Sequence, residues 1–205
     1  VQIPERVFYG ALWLGLVGYW ALLAPPPSED TLGQIVALAR LDSRVVDPIA
    51  VAVFNLLGVI PTAFLALLLS ETGRPSPWPF ALGAYLLGGL VLLPYLALRD
   101  TTAPLSPRPG GLVRAIGSRT AGGILLSIAL ALITYGVITG SPARFGEQLT
   151  SSLFIAVMTA DLIALTLALH RAAATDRTRR GIEPARPQAA QRIPLLGPLL
   201  YLATR

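Results

Sequence analysis

The 205-residue chain has no cysteine and no lysine, one histidine, one methionine, and charged side chains at only 13% of positions. Without cysteine there is no disulfide, thiolate metal site, iron–sulfur ligation or thiol nucleophile. A lone imidazole builds neither a histidine metal cluster nor, in the absence of the matching motifs, a Ser/His/Asp triad, and no Gly-rich phosphate loop occurs. So little charge beside 54% hydrophobic residues excludes a water-soluble globule of this length. All sixteen cations are arginine. That usage reads either as coding composition or as a surface for phosphate and lipid head groups.

What the chain does have is long apolar runs. Five of them, at 7–24, 48–70, 78–98, 120–139 and 148–169, contain a single ionisable side chain, Asp161. At about 1.5 Å rise per residue, each reaches across a hydrocarbon core of about 30 Å. Hydrocarbon offers the backbone no hydrogen-bond partner, so each run must be helical. The expected fold is therefore all-α: one membrane domain over 1–205, with five transmembrane helices, short amphipathic interfacial helices and a C-terminal interfacial segment. The chain starts at Val1 rather than Met, which reads as a processed or incomplete start, and 7–24 is expected to be retained as a membrane helix.

Five crossings would divide the arginines thirteen to three. The loops after the first and third spans and the C-terminal tail carry thirteen, and the other side carries Arg6, Arg74 and Arg144. The positive-inside rule then puts the C-terminus in the cytoplasm or stroma and the N-terminus across the membrane, in the lumen. On the basic side, Ser28 can cap a helix whose first turn holds Glu29 and Asp30 and whose apolar face is Leu32, Ile35, Val36 and Ala39. Leu112, Val113 and Ile116, with Arg114 and Arg119, suggest a second surface helix or a solvated basic loop. Gly73, Pro75, Pro77 and Pro79 join spans two and three as an antiparallel hairpin. The apolar run 193–202 covers about half the core and is expected to dip into the interface or pack against a partner.

Asp161 needs a reason, because a carboxylate at mid-membrane costs about 2.5–3.5 kcal/mol on insertion scales. It reads either as a proton or ion site or as a carboxyl tying its helix to Thr134, Tyr135 or Asn55. Asn55 reads as interhelical glue. Pro61 and Pro94 each free a carbonyl inside a helix and are expected to kink it. The pairs Ala11/Gly15, Ala84/Gly88 and Gly136/Gly140 would permit close helix approach. His170 could give one axial ligand to a chlorophyll or haem, or face lipid head groups.

Four stretches carry a family resemblance. They are Phe54, Asn55, Leu56, Leu57 and Gly58 with Pro61; Trp78, Pro79 and Phe80 leading to Leu93, Pro94, Tyr95, Leu96, Ala97, Leu98 and Arg99; Arg179, Arg180 and Gly181; and the closing run 194–202. Along nearly its whole length the chain resembles a family of small, uncharacterised, multi-spanning membrane proteins of cyanobacteria and plastids. None of these motifs is catalytic. The chain departs from the family pattern at 181–192, which is polar where the family has an apolar stretch able to form a sixth span. The resemblance implies a thylakoid setting. On that basis the expected function is a non-catalytic accessory subunit of a photosynthetic complex, first a photosystem I–antenna supercomplex. Its expected partners are lipids and the core and antenna subunits, with no nucleic acid, and chlorophyll a or carotenoid would be held through His170 or Asn55. The alternatives are a photosystem assembly factor and a small thylakoid transporter that uses Asp161; a membrane enzyme ranks last.

Overall fold

The computed structural model describes residues 3–27, 31–106, 110–182 and 193–205. The described residues form α-helices and no strand. The helices are α1 (Glu5–Leu22), α2 (Thr31–Ala39), α3 (Pro48–Leu68), α4 (Trp78–Leu87), α5 (Gly89–Leu98), α6 (Gly111–Ile116), α7 (Arg119–Thr139), α8 (Pro142–Ser151), α9 (Leu153–Arg179) and α10 (Leu196–Thr204). Three of them, α3, α7 and α9, are long and apolar enough to cross a bilayer. Ser28, Glu29, Asp30, Arg108, Arg186 and Arg192 lie outside the described residues, as does most of the polar stretch 181–192.

The expected third span is not one helix. The apolar run breaks at Gly88, whose φ of +53° and ψ of −133° belong to backbone that only glycine adopts readily. The chain turns back there, so α4 and α5 lie side by side as two arms of about 15 Å each, half a hydrocarbon core. Phe80 stacks on Tyr95 across the arms with ring centroids 4.9 Å apart. Both outer ends of this hairpin meet the C-terminal end of α3. Ser106 N–H donates to the Ser70 carbonyl at 2.7 Å, Thr72 Oγ1 donates to the Pro104 carbonyl at 2.7 Å, and Glu71 pairs with Leu105 in an isolated bridge. The hairpin thus enters and leaves the bundle at one end.

That end also gathers Glu5, the C-terminal turns of α9, and α10. Arg99 bonds Glu71 at 2.9 Å and reaches Glu5 at 3.5 Å; Arg179 pairs with Glu71, and Thr175 with Glu5. The N-terminal segment and the C-terminal residues therefore lie at the same end of the bundle, where five crossings would have set them apart. Among the described arginines, 6, 74, 99, 114, 119, 171, 177, 179, 180 and 205 are at this end. Arg40, Arg44 and Arg144 are at the other.

The far end is held by Asp47, which is 1% exposed. Its carboxylate caps α3 by accepting from Ile49 N–H at 2.9 Å and accepts from Ser141 N–H at 3.0 Å. Arg144 donates to the carbonyls of Ser43 and Arg44, and Ser152 Oγ donates to Gln34. Gly136 and Gly140 let α7 close on the start of α3, where an added Cβ would lie 3.1 Å from Ala52 Cβ and 2.5 Å from Ile49 Cγ1. By contrast nothing approaches Gly15, so the Ala11/Gly15 pair is not a packing seam.

Two further expectations are corrected. The expected fifth span at 148–169 breaks at Ser152, whose Oγ accepts from Ile155 N–H and so caps α9; residues 148–151 belong to α8. The closing run does not wait for a partner. α10 packs on α7 of the same chain, with Leu199, Tyr201 and Leu202 buried and Gly122 directly beneath the Leu202 backbone. Of the surface helices, α2 buries Ala37 and Leu38 and leaves Leu32, Val36 and Ala39 outward. In α6, Val113 and Ile116 pack against the cluster of Leu65, Leu69 and Ala81.

Candidate functional site

At the hairpin tip Leu86 and Leu87 face outward and Gly89 is buried against the bundle, and a helix starting there has amide N–H groups with no partner in their own turn. Asp161 answers this need. Its Oδ1 accepts from Gly89 N–H at 2.8 Å, although the two residues are 72 apart in sequence. Asp161 is thus the cap of α5, supplied by α9. None of the partners expected from the sequence, Thr134, Tyr135 or Asn55, bonds it. The fit is close: a Cβ on Gly88 would stand 1.7 Å from Asp161 Oδ2, and one on Gly89 2.5 Å from Oδ1.

A second adjustment serves the same hairpin. Pro94 has no N–H for the Leu90 carbonyl four residues earlier. The Trp13 indole N–H takes that carbonyl at 3.1 Å, satisfying a group that hydrocarbon could not and fixing α1 to α5. On the other arm, Tyr85 and Thr62 share a 2.6 Å hydroxyl hydrogen bond that links α4 to α3.

The tip borders a cavity of about 350 Å³, within the span of small-molecule sites of about 300–1,000 Å³. Its walls are mostly apolar: Leu16, Phe54, Leu57, Leu86, Phe154 and Met158 among others, with Tyr85, Asn55 and Asp161 as polar points. Asn55 Nδ2 donates to the Val51 carbonyl of its own helix at 2.8 Å and does not bridge to a neighbour. A larger, more open groove of about 560 Å³ lies between α1, α9 and the end of α8, walled by Ala11, Gly15, Tyr19, Thr150, Ala160 and Ile163.

His170 belongs to neither space. It lies nine residues beyond Asp161 on α9, about 14 Å along the axis, and its Nδ1 is buried without a hydrogen-bond partner. His170 and Asn55, each offered by the sequence as a separate pigment ligand, lie in different parts of the bundle. Among the described residues no three metal-ligating side chains cluster.

From the sequence Gly88 was read only as half of the Ala84/Gly88 small-residue pair, and Gly89, Trp13 and Tyr85 were not singled out. The signal for the first two was a glycine doublet inside an apolar run, a local break mark that outweighs hydropathy when both φ and a close contact require it. Comparison with family models, with curated proteins and with solved structures gives no match.

Proposed function

We propose that this is an integral membrane protein with four crossing helices, α1, α3, α7 and α9, and one re-entrant hairpin, α4–α5. Both described chain ends are then on the arginine-rich side, which the positive-inside rule makes cytoplasmic or stromal. Within that frame it serves as a non-catalytic accessory subunit of a photosynthetic membrane complex, first a photosystem I–antenna supercomplex. The observation that carries the holding role is the pair of apolar spaces at lipid depth, whose one carboxylate is already engaged as a helix cap. The groove between α1 and α9 suits an elongated apolar ligand, a carotenoid or an acyl chain. Chlorophyll a would lie against the outer faces. The photosynthetic setting rests on the family resemblance. α7 offers such a face: most of it is left uncovered by the chain, and Ile124, Ile128, Val137 and Ile138 point outward.

Gentle solubilisation of native membranes followed by native separation tests this reading. The expected result is stoichiometric co-migration of the chain with a pigmented photosystem band. Migration as a small colourless species would reject the subunit and leave an assembly factor, which binds only transiently, or a transporter.

The transporter reading has one specific observation behind it, a helix broken at mid-bundle beside a carboxylate, as in carriers that bind ions at discontinuous helices. Asp161→Asn separates the two roles. Asparagine keeps an oxygen for Gly89 N–H, so a capping role predicts a folded protein with a thermal midpoint within a few degrees of the parent. A transport role predicts the same folded protein with ion or proton flux in proteoliposomes reduced to background.

A further inference from the structure

Asp161 serves the hairpin with one oxygen only. Its Oδ1 accepts from Gly89 N–H at 2.8 Å, and among the described residues Oδ2 has no donor. No described ion pair includes Asp161, and no described arginine or histidine reaches the walls of the cavity it borders. A carboxylate at this depth is costly unless a group of opposite sign joins it. The cap supplies one hydrogen bond, and the described chain supplies no charge.

The other polar points of the cavity are also mainly acceptors. Thr62 Oγ1 donates to the Gly58 carbonyl at 3.0 Å, so in its 2.6 Å bond with Tyr85 the phenol is the donor and its oxygen remains an acceptor. Asn55 turns its amide nitrogen to the Val51 carbonyl, which leaves Oδ1 and one N–H. Acceptors grouped with a carboxylate suit a positively charged ligand. The remaining walls are aromatic and soft. Phe54 and Phe154 have ring centroids 6.4 Å apart at a 49° tilt, and Met158 adds a polarisable thioether. Ring faces attract a desolvated cation within about 6 Å of the centroid. A hard inorganic cation such as calcium takes about six oxygen ligands or more, a shell that three acceptors on largely apolar walls do not make. An organic cation fills the volume of about 350 Å³ better. Leu86 and Leu87 border the cavity and face outward, which gives a lipophilic ligand a way in from the hydrocarbon.

From this geometry we propose that the hairpin cavity binds a lipophilic organic cation, an ammonium joined to an aromatic body, with its charge against Asp161 Oδ2 and its body among Phe54, Phe154 and Met158. The proposal rests on the holding role given above to this cavity and does not use the photosynthetic setting.

The test uses the full-length chain in neutral detergent. It is titrated, by calorimetry and thermal melting, with benzyltrimethylammonium, with its uncharged isostere neopentylbenzene, with benzenesulfonate and with sodium chloride, each against a detergent blank. The expected result is at least tenfold tighter binding of the ammonium than of the isostere, with a raised melting midpoint that neither benzenesulfonate nor sodium reproduces. Equal binding of ammonium and isostere would keep an apolar holding cavity and overturn the cation as its ligand. An equal shift from sodium would make this an inorganic-cation site and overturn the organic one. Binding of neither aromatic probe overturns the proposal, and the photosystem reading is still judged separately by co-migration. Asp161→Asn, which keeps an acceptor for Gly89 N–H, should abolish the preference and keep isostere binding; a variant that retained the preference would also overturn the proposal. Gly58→Leu tests the cavity without touching the carboxylate. Gly58 borders the space from α3 and an added Cβ there meets nothing within 4 Å, so leucine should keep the fold and weaken both aromatic probes about tenfold.

Discussion

Alanine at Gly88 is expected to lower the thermal midpoint of the detergent-solubilised protein by on the order of 10 °C, or to prevent its accumulation. Two costs combine. A residue with a Cβ held at φ +53° and ψ −133° is strained by about 1–3 kcal/mol. The new Cβ would stand 1.7 Å from Asp161 Oδ2, so the cap must move, and overpacking of this kind costs about another 1–3 kcal/mol. The matched control is Gly123→Ala on α7, where an added Cβ meets nothing within 4 Å. Helix propensity predicts that this change is neutral or stabilising by up to about 1 kcal/mol. Equal melting of the two variants would mean that the hairpin tip is not the tight turn described here.

The second large effect is expected at Asp176, which is 5% exposed and accepts from Arg180, Arg205 and the Tyr201 hydroxyl, the last at 2.7 Å. Asp176→Ala leaves a buried guanidinium and a buried hydroxyl without their acceptor. Removing one partner from such a network costs about 3–5 kcal/mol. The loss should appear locally, as faster hydrogen exchange across 196–204 with the rest of the bundle little changed. Tyr201→Phe removes one neutral donor and should cost only about 1 kcal/mol. The pH dependence has a definite sign. Burial, with the Asp176 carboxylate beside it, pushes the Tyr201 hydroxyl from 10.0 up to about 12. Its folded value is the higher one, so its contribution is whole below about 10 and is lost as the pH rises through about 12. Exchange across α10 should therefore be steady from pH 7 to 9 once corrected for intrinsic rates.

Apolar run length made the helices legible in the sequence, while the path of the chain between them was not. The runs at 48–70 and 120–139 became α3 and α7 nearly unchanged, because an uninterrupted apolar segment of that length has one way to satisfy its backbone. The run at 78–98 had the same length and hydropathy but carried Gly88 and Gly89, and its tip needed a cap from Asp161, far away in sequence. Hydropathy does not register such a partnership. The arginine count was blind to the error for a simple reason. Turning the third crossing into a hairpin moves Arg6 and Arg74 to the basic side and Arg40 and Arg44 off it, two for two. A split that strong therefore fits either path and gives opposite locations for the N-terminus.

Asp161 was singled out from its cost in the membrane, and the structure gives it a structural duty, although its expected partners were wrong. Asn55 and His170 were chosen because they are ligand types near apolar surface. Only Asn55 borders the cavity at the hairpin tip. Trp13 was not singled out in the sequence. Its use follows from Pro94, which leaves the Leu90 carbonyl open, and that pairing becomes visible only once α1 lies against α5.

The central claim is that α4 and α5 form a re-entrant hairpin, and the lack of native cysteine makes its test direct. Single cysteines at Ser76 and Thr102 flank the hairpin, Ser43 and Ser151 mark the far end, and each is probed in sealed, oriented vesicles with a membrane-impermeant maleimide. The hairpin predicts that positions 76 and 102 label from the same side and that 43 and 151 label from the opposite side. Labelling of 76 and 102 from opposite sides would make 78–98 a crossing helix and contradict the architecture on which the cavity, the capping role of Asp161 and the common side of the two chain ends all depend.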